Sequence, residues 1–100
     1  MDIDGLIEAL RGRAALAPKL GYRVKFDLGE AGVILFDGTE TTPSVTAEDG
    51  EADSTLTLTP DSLAKMIEGA LDPTFAYMTG KLKIAGSMGV ALKLASMLED

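Results

Sequence analysis

The sequence predicts an α+β domain in which helices pack on one face of a largely antiparallel sheet. Apolar residues recur at the 3.6-residue spacing of a helix near both ends of the chain, and at the two-residue spacing of a strand between them. The chain has 100 residues, of which 46% are hydrophobic and 25% are charged. That length and composition suffice for one domain with its own core. We therefore expect a single domain over residues 1–100.

The first half of the chain predicts one helix followed by a β-hairpin. Residues 2–16 have the apolar spacing of an amphipathic helix, which Asp2 or Asp4 begins. Residues 22–28 alternate, with one apolar side expected to face the core, namely Tyr22, Val24, Phe26 and Leu28. A short loop over residues 29–32 leads to Val33–Phe36, which has no polar alternation. The missing alternation predicts a strand covered on both faces.

The second half predicts three more strands and three helices. Thr41–Ala47 contains Pro43, which favours an edge strand, and Ser54–Leu58 alternates as a half-buried strand. Thr59-Pro60-Asp61 and Asp72-Pro73 each have the capping residue and proline typical of a helix start. The first of these helices should bury Leu63, Met66, Ile67, Ala70 and Leu71. A strand over Lys81–Ala85 and a helix from Ser87 to about Leu98 complete the chain.

Composition excludes several classes of function. The chain has no Cys and no His, which excludes disulfides, zinc fingers, Cys–His and Ser–His nucleophile pairs, and histidine proton shuttles. Its formal charge of -7 argues against binding nucleic acid. No apolar run is long enough to cross a membrane, so we expect no stable membrane insertion. The acidic N-terminus does not resemble a signal peptide. We expect a soluble cytoplasmic protein that is not an enzyme and uses no metal and no cofactor.

The last predicted helix is apolar on most of its sides. Its polar positions, Lys93, Ser96 and Asp100, form one narrow strip, so the helix must be buried widely or must face something besides its own sheet. Four methionines lie on the predicted helices: Met66, Met78, Met88 and Met97. Methionines line binding surfaces that fit several shapes, but they also fill ordinary gaps in a core. Both interpretations remain open for the methionines.

Two other segments have both a functional and a structural interpretation. Nine acidic residues and no Lys or Arg lie between Phe26 and Ala64. This acidic region, 27–61, is either a docking surface for a basic protein partner or a solvated edge that discourages aggregation. Gly86-Ser87-Met88-Gly89 is explained by a plain helix start, although exposed N–H groups there could hold a carboxylate or phosphate head group.

The second half of the chain resembles the sterol carrier protein type 2 family. The resemblance rests on Ala52–Leu58, on the Asp72–Gly80 helix and above all on Gly80–Leu94, with support from the Tyr22–Gly38 hairpin. It implies a five-stranded sheet with helices over one face, enclosing an apolar tunnel for fatty acid, acyl-CoA or a similar lipid. The short, acidic form without a peroxisomal tripeptide looks like the stand-alone bacterial branch of that family.

The resemblance implies binding and transfer of apolar lipids. The alternative is an accessory module that presents a lipid-like, quinone-type intermediate to partner enzymes. The side chains expected to contact the ligand are Leu35, Leu58, Met66, Ile67, Phe75, Met78, Ile84, Met88, Leu92 and Met97. A dry empty tunnel of roughly 300 Å³ would cost ~7 kcal/mol. We therefore expect the tunnel to be collapsed or filled by a lipid.

Overall fold

The helices and strands follow the predicted order. The computed structural model describes residues 2–16, 21–39 and 43–98. Its helices are α1 (Ile3–Leu16), α2 (Pro60–Ile67), α3 (Pro73–Met78) and α4 (Met88–Leu98). Its strands are β1 (Arg23–Asp27), β2 (Val33–Asp37), β3 (Ser44–Thr46), β4 (Ser54–Thr57) and β5 (Lys83–Gly86). A short 3-10 turn, Gly29–Ala31, connects β1 to β2.

The strands form one five-stranded sheet within these described ranges. Their spatial order is β3-β2-β1-β4-β5, with β1 at the centre. β1 and β4 run parallel, and every other neighbouring pair is antiparallel. The prediction of a mostly antiparallel sheet in an α+β fold is therefore confirmed. β3 is an edge strand, as Pro43 led us to expect.

The helices cover one face of the sheet. Val24 and Phe26 on β1 lie opposite Phe36 and Ile34 on β2, and these four side chains are buried. Residues of β2 alternate between buried and half-buried, so the prediction that Val33–Phe36 is covered on both faces is wrong. The uncovered face, which we call the open face, is half-exposed. A run of large apolar residues can therefore occur in a strand that has one buried and one half-buried face.

Helix starts use the side chains that the sequence indicated. Asp2 begins α1, because its Oδ1 accepts a hydrogen bond from Gly5 N at 2.8 Å. Thr59 Oγ1 accepts from Ser62 N at 3.1 Å at the start of α2. Asp72 Oδ2 accepts from Phe75 N at 3.2 Å at the start of α3. Each contact satisfies a backbone N–H that has no partner within the helix.

Several boundaries differ from the prediction by one to four residues, among them the start of β5, the end of α2 and the start of β1. β5 begins at Lys83 rather than Lys81, because the N–H groups of Lys81 and Leu82 both donate to Ala76 O and are held at the end of α3. α2 ends at Ile67, so Ala70 lies beyond the helix and is exposed. Tyr22 precedes β1 and is 39% exposed, with Lys93 Nζ 5.6 Å from its ring centroid.

Arg11 ties α1 to the edge of the sheet. Its Nε and Nη2 donate to Val45 O on β3 at 3.2 Å and 2.9 Å. A guanidinium forms such a double contact readily because its N–H groups point in fixed directions. Among the described residues, no helix is long and apolar enough to cross a membrane.

Candidate functional site

The ten residues expected to contact a ligand fall into separate groups. Leu58, Met66 and Ile67 are buried in the core, and Ile84 on β5 packs against it. Leu35 lies on the open face of the sheet, so it cannot border a space between sheet and helices. Met97 lies near the end of α4, outside the described side chains. The remaining four, Phe75, Met78, Met88 and Leu92, are exposed on α3 and α4.

The space between the sheet and the helices is closed at its centre. Phe26 and Leu56 from the sheet, Leu63 and Met66 from α2, and Leu94 from α4 have no solvent-accessible surface. A side chain with no accessible surface borders no void large enough for a water molecule. Met66 therefore fills the core in this conformation, as methionine often does.

An apolar groove lies on the outer side of α3 and α4. Met88 and Leu92 are four residues apart on α4, so they share one face of that helix, and they are 40% and 45% exposed. On α3, Pro73 and Ala76 are buried, which leaves Phe75 on the outside at 55% exposure. A cleft of about 270 Å³ separates the two helices and is lined by Pro73, Thr74, Leu92, Ala95 and Ser96. We call these surfaces together the outer groove.

A second, larger cleft lies beyond the other end of α3. It has a volume of about 380 Å³ and forms where β1 and β4 end, beside the start of α2. Its floor is apolar, from Leu28 and Leu58. Its polar side chains are Thr57, Thr59, Ser62, Lys81 and Lys83. We call it the end cleft; sequence analysis singled out neither its lysines nor its hydroxyls as site residues.

Three of the nine carboxylates of the acidic region 27–61 form ion pairs within the molecule. Asp37 pairs with Arg23 at 3.1 Å, Asp49 with Lys25 at 2.7 Å and Asp61 with Lys65 at 3.2 Å. Asp53 accepts a hydrogen bond from Arg23 N at 2.9 Å. The bases that the acidic run lacks are supplied by residues just outside it, so a basic protein partner there is not supported.

The described carboxylates do not form a proton-transfer or metal site. Hydrogen bonds from the Thr39 side chain and backbone, aided by Arg23, lower the pKa of Asp37. A hydrogen bond from Lys25, with its charge, lowers the pKa of Asp49. A general acid needs a raised pKa near neutral pH, so both shifts run the wrong way for that role. In the ranges that the structure covers, no group of three metal-ligating side chains comes together.

The start of α4 is built as an ordinary helix start. Ser87 Oγ accepts a hydrogen bond from Val90 N at 3.3 Å, and Ser87 N donates to Asp53 O at 3.0 Å. The Gly86-Ser87-Met88-Gly89 segment therefore uses part of its donor capacity within the molecule. The plain-start interpretation accounts for these contacts without a head group.

Comparisons with known proteins agree on one family. The model of the SCP-2 sterol transfer family matches residues 4–99. Hydroxysteroid dehydrogenase-like protein 2 of Homo sapiens is 46% identical over 50 residues, which are 50% of this chain and 12% of the human protein. This chain thus corresponds to a small part of the length of that relative.

Solved structures of the family share the fold. The sterol carrier protein domain 2 of Helicoverpa armigera is 28% identical with a TM-score of 0.66, over 97% of this chain and 73% of that one. Palmitated SCP2L2 from Aedes aegypti is 18% identical with a TM-score of 0.76, over 100% and 96%. The ubiquinone synthesis protein UbiJ-SCP2 is 21% identical with a TM-score of 0.70, over 96% and 94%. At those last two identities the likeness is one of fold alone. Because the family model spans residues 4–99, this chain belongs to the SCP-2 sterol transfer family, as its resemblance predicted.

Proposed function

We propose that this protein binds fatty acyl lipids without chemical conversion, and that the outer groove of α3 and α4 receives the acyl chain. Family membership and the palmitate bound by the Aedes aegypti protein support the ligand class. The observation that carries the proposal is that Phe75, Met78, Met88 and Leu92 are exposed on α3 and α4, with Leu92 lining the cleft between the two helices, although the core beneath is full. Large apolar side chains that form one exposed patch indicate a binding site, whereas single exposed apolar residues are common on any protein.

The energetics of an acyl chain fit such a site. Burying a 16-carbon chain at ~0.8 kcal/mol per methylene yields ~12 kcal/mol of transfer free energy. Association costs at least ~4 kcal/mol, which leaves at most ~8 kcal/mol, or roughly micromolar affinity. No buried polar contact is needed to reach that value, so the ligand's chain rather than its chemistry sets most of the affinity.

An open groove covers a chain on one side only, so full burial requires α3 to move away from α4. α3 has six residues, and it is anchored by the buried Pro73 and Ala76 and by the Asp72 cap. A permanently open void of roughly 300 Å³ would cost ~7 kcal/mol, comparable to the stability of a small domain. A closed resting conformation that opens around the ligand avoids that cost.

The direct test places a charge in the outer groove. We expect Met88→Asp or Leu92→Asp to lower the affinity for fatty acid by at least roughly 30-fold, because a carboxylate beside the chain must be desolvated. Displacement of a fluorescent fatty acid measures this affinity. Both residues are partly exposed, so the fold should tolerate the change. Ala47→Asp adds the same charge at an exposed loop and should bind like the wild type. Normal binding by both groove variants, with circular dichroism unchanged, would place the ligand elsewhere and reject this site.

The quinone-presenting module stays a prediction. Its support is the shared fold with the ubiquinone synthesis protein UbiJ-SCP2, at 21% identity. The expected cytoplasmic location and the stand-alone bacterial branch likewise stay predictions.

A further inference from the structure

We infer that the end cleft binds the anionic head group of the ligand, a carboxylate or a phosphate, through Lys81 and Lys83. This inference rests on the proposed function, because it assigns the polar end of the lipid whose chain the outer groove receives. The two sites lie at opposite ends of α3: Pro73 and Thr74 line the groove, and Gly80 and Lys81 line the cleft.

Every polar side chain that lines the end cleft can donate a hydrogen bond. Its charged side chains are two ammonium groups, and its other polar side chains are the hydroxyls of Thr57, Thr59 and Ser62. None of the described residues that line it is a carboxylate, although the chain has 16 acidic and 9 basic residues. A donor-rich cleft in an acidic protein selects for an anion.

Within the described part of the chain, no carboxylate forms an ion pair with either cleft lysine. The ion pairs within the described ranges engage Arg11, Arg23, Lys25 and Lys65, and neither cleft lysine. By register, Lys83 lies opposite Thr57, and Thr57 lies opposite Asp27. Two strand spacings of roughly 9–10 Å therefore separate Lys83 from Asp27, whose Oδ1 accepts from Gly29 N at 3.0 Å.

The hydroxyls leave at least one donor free. Thr59 Oγ1 caps α2 by accepting from Ser62 N, and it donates its own proton to Ser62 Oγ at 3.0 Å. Ser62 Oγ is therefore an acceptor in that contact, and its own O–H is directed to no acceptor among the described side-chain hydrogen bonds. It is available to an anion that the lysines hold.

The floor of the end cleft suits the carbons next to a head group. Leu28 and Leu58 are 3% and 6% exposed, and the little surface they keep faces this cleft. Apolar contact there would bury the first methylenes of the chain while the ammonium groups remain solvated. The cleft thus has an apolar floor for the methylenes of the ligand and ammonium groups for its anionic head group.

The two lysines of the end cleft come from a part of the chain that has no acidic residues. Residues 73–98 contain three lysines and no Asp or Glu, whereas the whole chain carries a charge of -7. The backbone of Lys81 and Leu82 is held to Ala76 O, which fixes the turn at the end of α3 beside the cleft.

The test compares three lipids that share a 16-carbon acyl chain: palmitate, palmitoyl-lysophosphatidate and neutral 1-monopalmitoylglycerol. The variants are Lys81→Gln, Lys83→Gln, their double substitution, and Lys65→Gln as a control. Lys65 is paired with Asp61 on α2 and does not line the cleft, so its substitution makes the same charge change elsewhere.

For the wild type we expect both anions to bind more tightly than the neutral lipid. Because both lysines are exposed, each single change should weaken anion binding by roughly threefold to tenfold and the double change by more. Binding of monopalmitoylglycerol should not change, and added salt should weaken only the anions. The tighter of the two anions identifies the head group as carboxylate or phosphate.

Equal binding of the three lipids by the wild type, or unaltered anion binding by the double variant, overturns the inference. In either case the proposed function survives, provided that the neutral lipid binds. Failure of all three lipids to bind rejects the proposed function itself.

Discussion

Gly86 shows how a single residue determines the end of β5. Its φ is +90°, and a Cβ added there would lie 2.6 Å from the carbonyl oxygen of Asp53. Both facts disfavour any side chain, since a positive φ is strained for L-residues and the contact is with backbone that cannot swing aside. The glycine therefore allows the chain to leave the sheet and turn directly into α4.

We expect Gly86→Ala to destabilise the protein by at least ~2 kcal/mol. For a domain of this size the melting temperature should fall by roughly 10 °C. Gly89→Ala is the matched control, because Gly89 lies within α4 with open space around its Cβ position. That control should stabilise the helix by ~0.5–1 kcal/mol. Thermal denaturation followed by circular dichroism measures both, and equal melting of the two variants contradicts this account of Gly86.

Asp37 makes the stability of the fold depend on acidity. Hydrogen bonds from Thr39, aided by Arg23, hold its pKa below the ordinary value. A carboxyl with a depressed folded-state pKa stabilises the fold above its unfolded pKa, and this contribution is lost as the pH falls through the folded pKa.

We therefore expect the wild type to lose stability below about pH 4, and Asp37→Asn to lose less over the same interval while being less stable at pH 7. Urea denaturation at pH 7 and pH 3 tests this. Glu68→Gln, at an exposed carboxylate outside the ion pairs of the described ranges, is the comparison. Parallel loss of stability in the wild type and Asp37→Asn would show that Asp37 has no such role.

At the scale of helices and strands, the sequence predicts a boundary correctly where that boundary depends on one nearby capping residue. Thr59-Pro60 and Asp72-Pro73 begin α2 and α3 as predicted, because capping depends only on residues within one turn. The start of β5 depends instead on Ala76 O, which holds Lys81 and Leu82 at the end of α3. That contact follows from how the α3 turn closes, and apolar alternation carries no information about it.

The candidate site was harder to predict for the same reason. The apolar excess of α4 left two alternatives, wide burial or a face beyond its own sheet; in the structure Val90 and Leu94 are buried, whereas Met88 and Leu92 are exposed. The apolar pattern could not separate Met66, which is completely buried, from Met78, which is 77% exposed. Both occur in apolar helices, and only packing decides which one is covered. The end cleft was missed because its lining comes from segments far apart in the sequence: the turn after β1, the end of β4, the start of α2, the turn after α3 and the start of β5.

For the molecule as a whole, a closed core predicts a large difference between the free and the loaded protein. Ligand at about 100 times its Kd adds ~2.7 kcal/mol of stability if it binds only the folded state. We expect the melting temperature to rise by roughly 10 °C or more with palmitate. Laurate, myristate and palmitate should differ in affinity by about fourfold per methylene. Calorimetry with the three acids measures both effects, and affinities independent of chain length would mean that the chain is not buried.

The double hydrogen bond from Arg11 to Val45 O has a consequence beyond the single molecule. An edge strand normally offers unpaired carbonyl groups to which a strand from another protein can add. Here the molecule's own first helix already occupies one such carbonyl on β3. An incoming strand would have to displace a guanidinium before it could extend the sheet on that side, so the contact that anchors α1 also disfavours the addition of a second molecule's strand to β3.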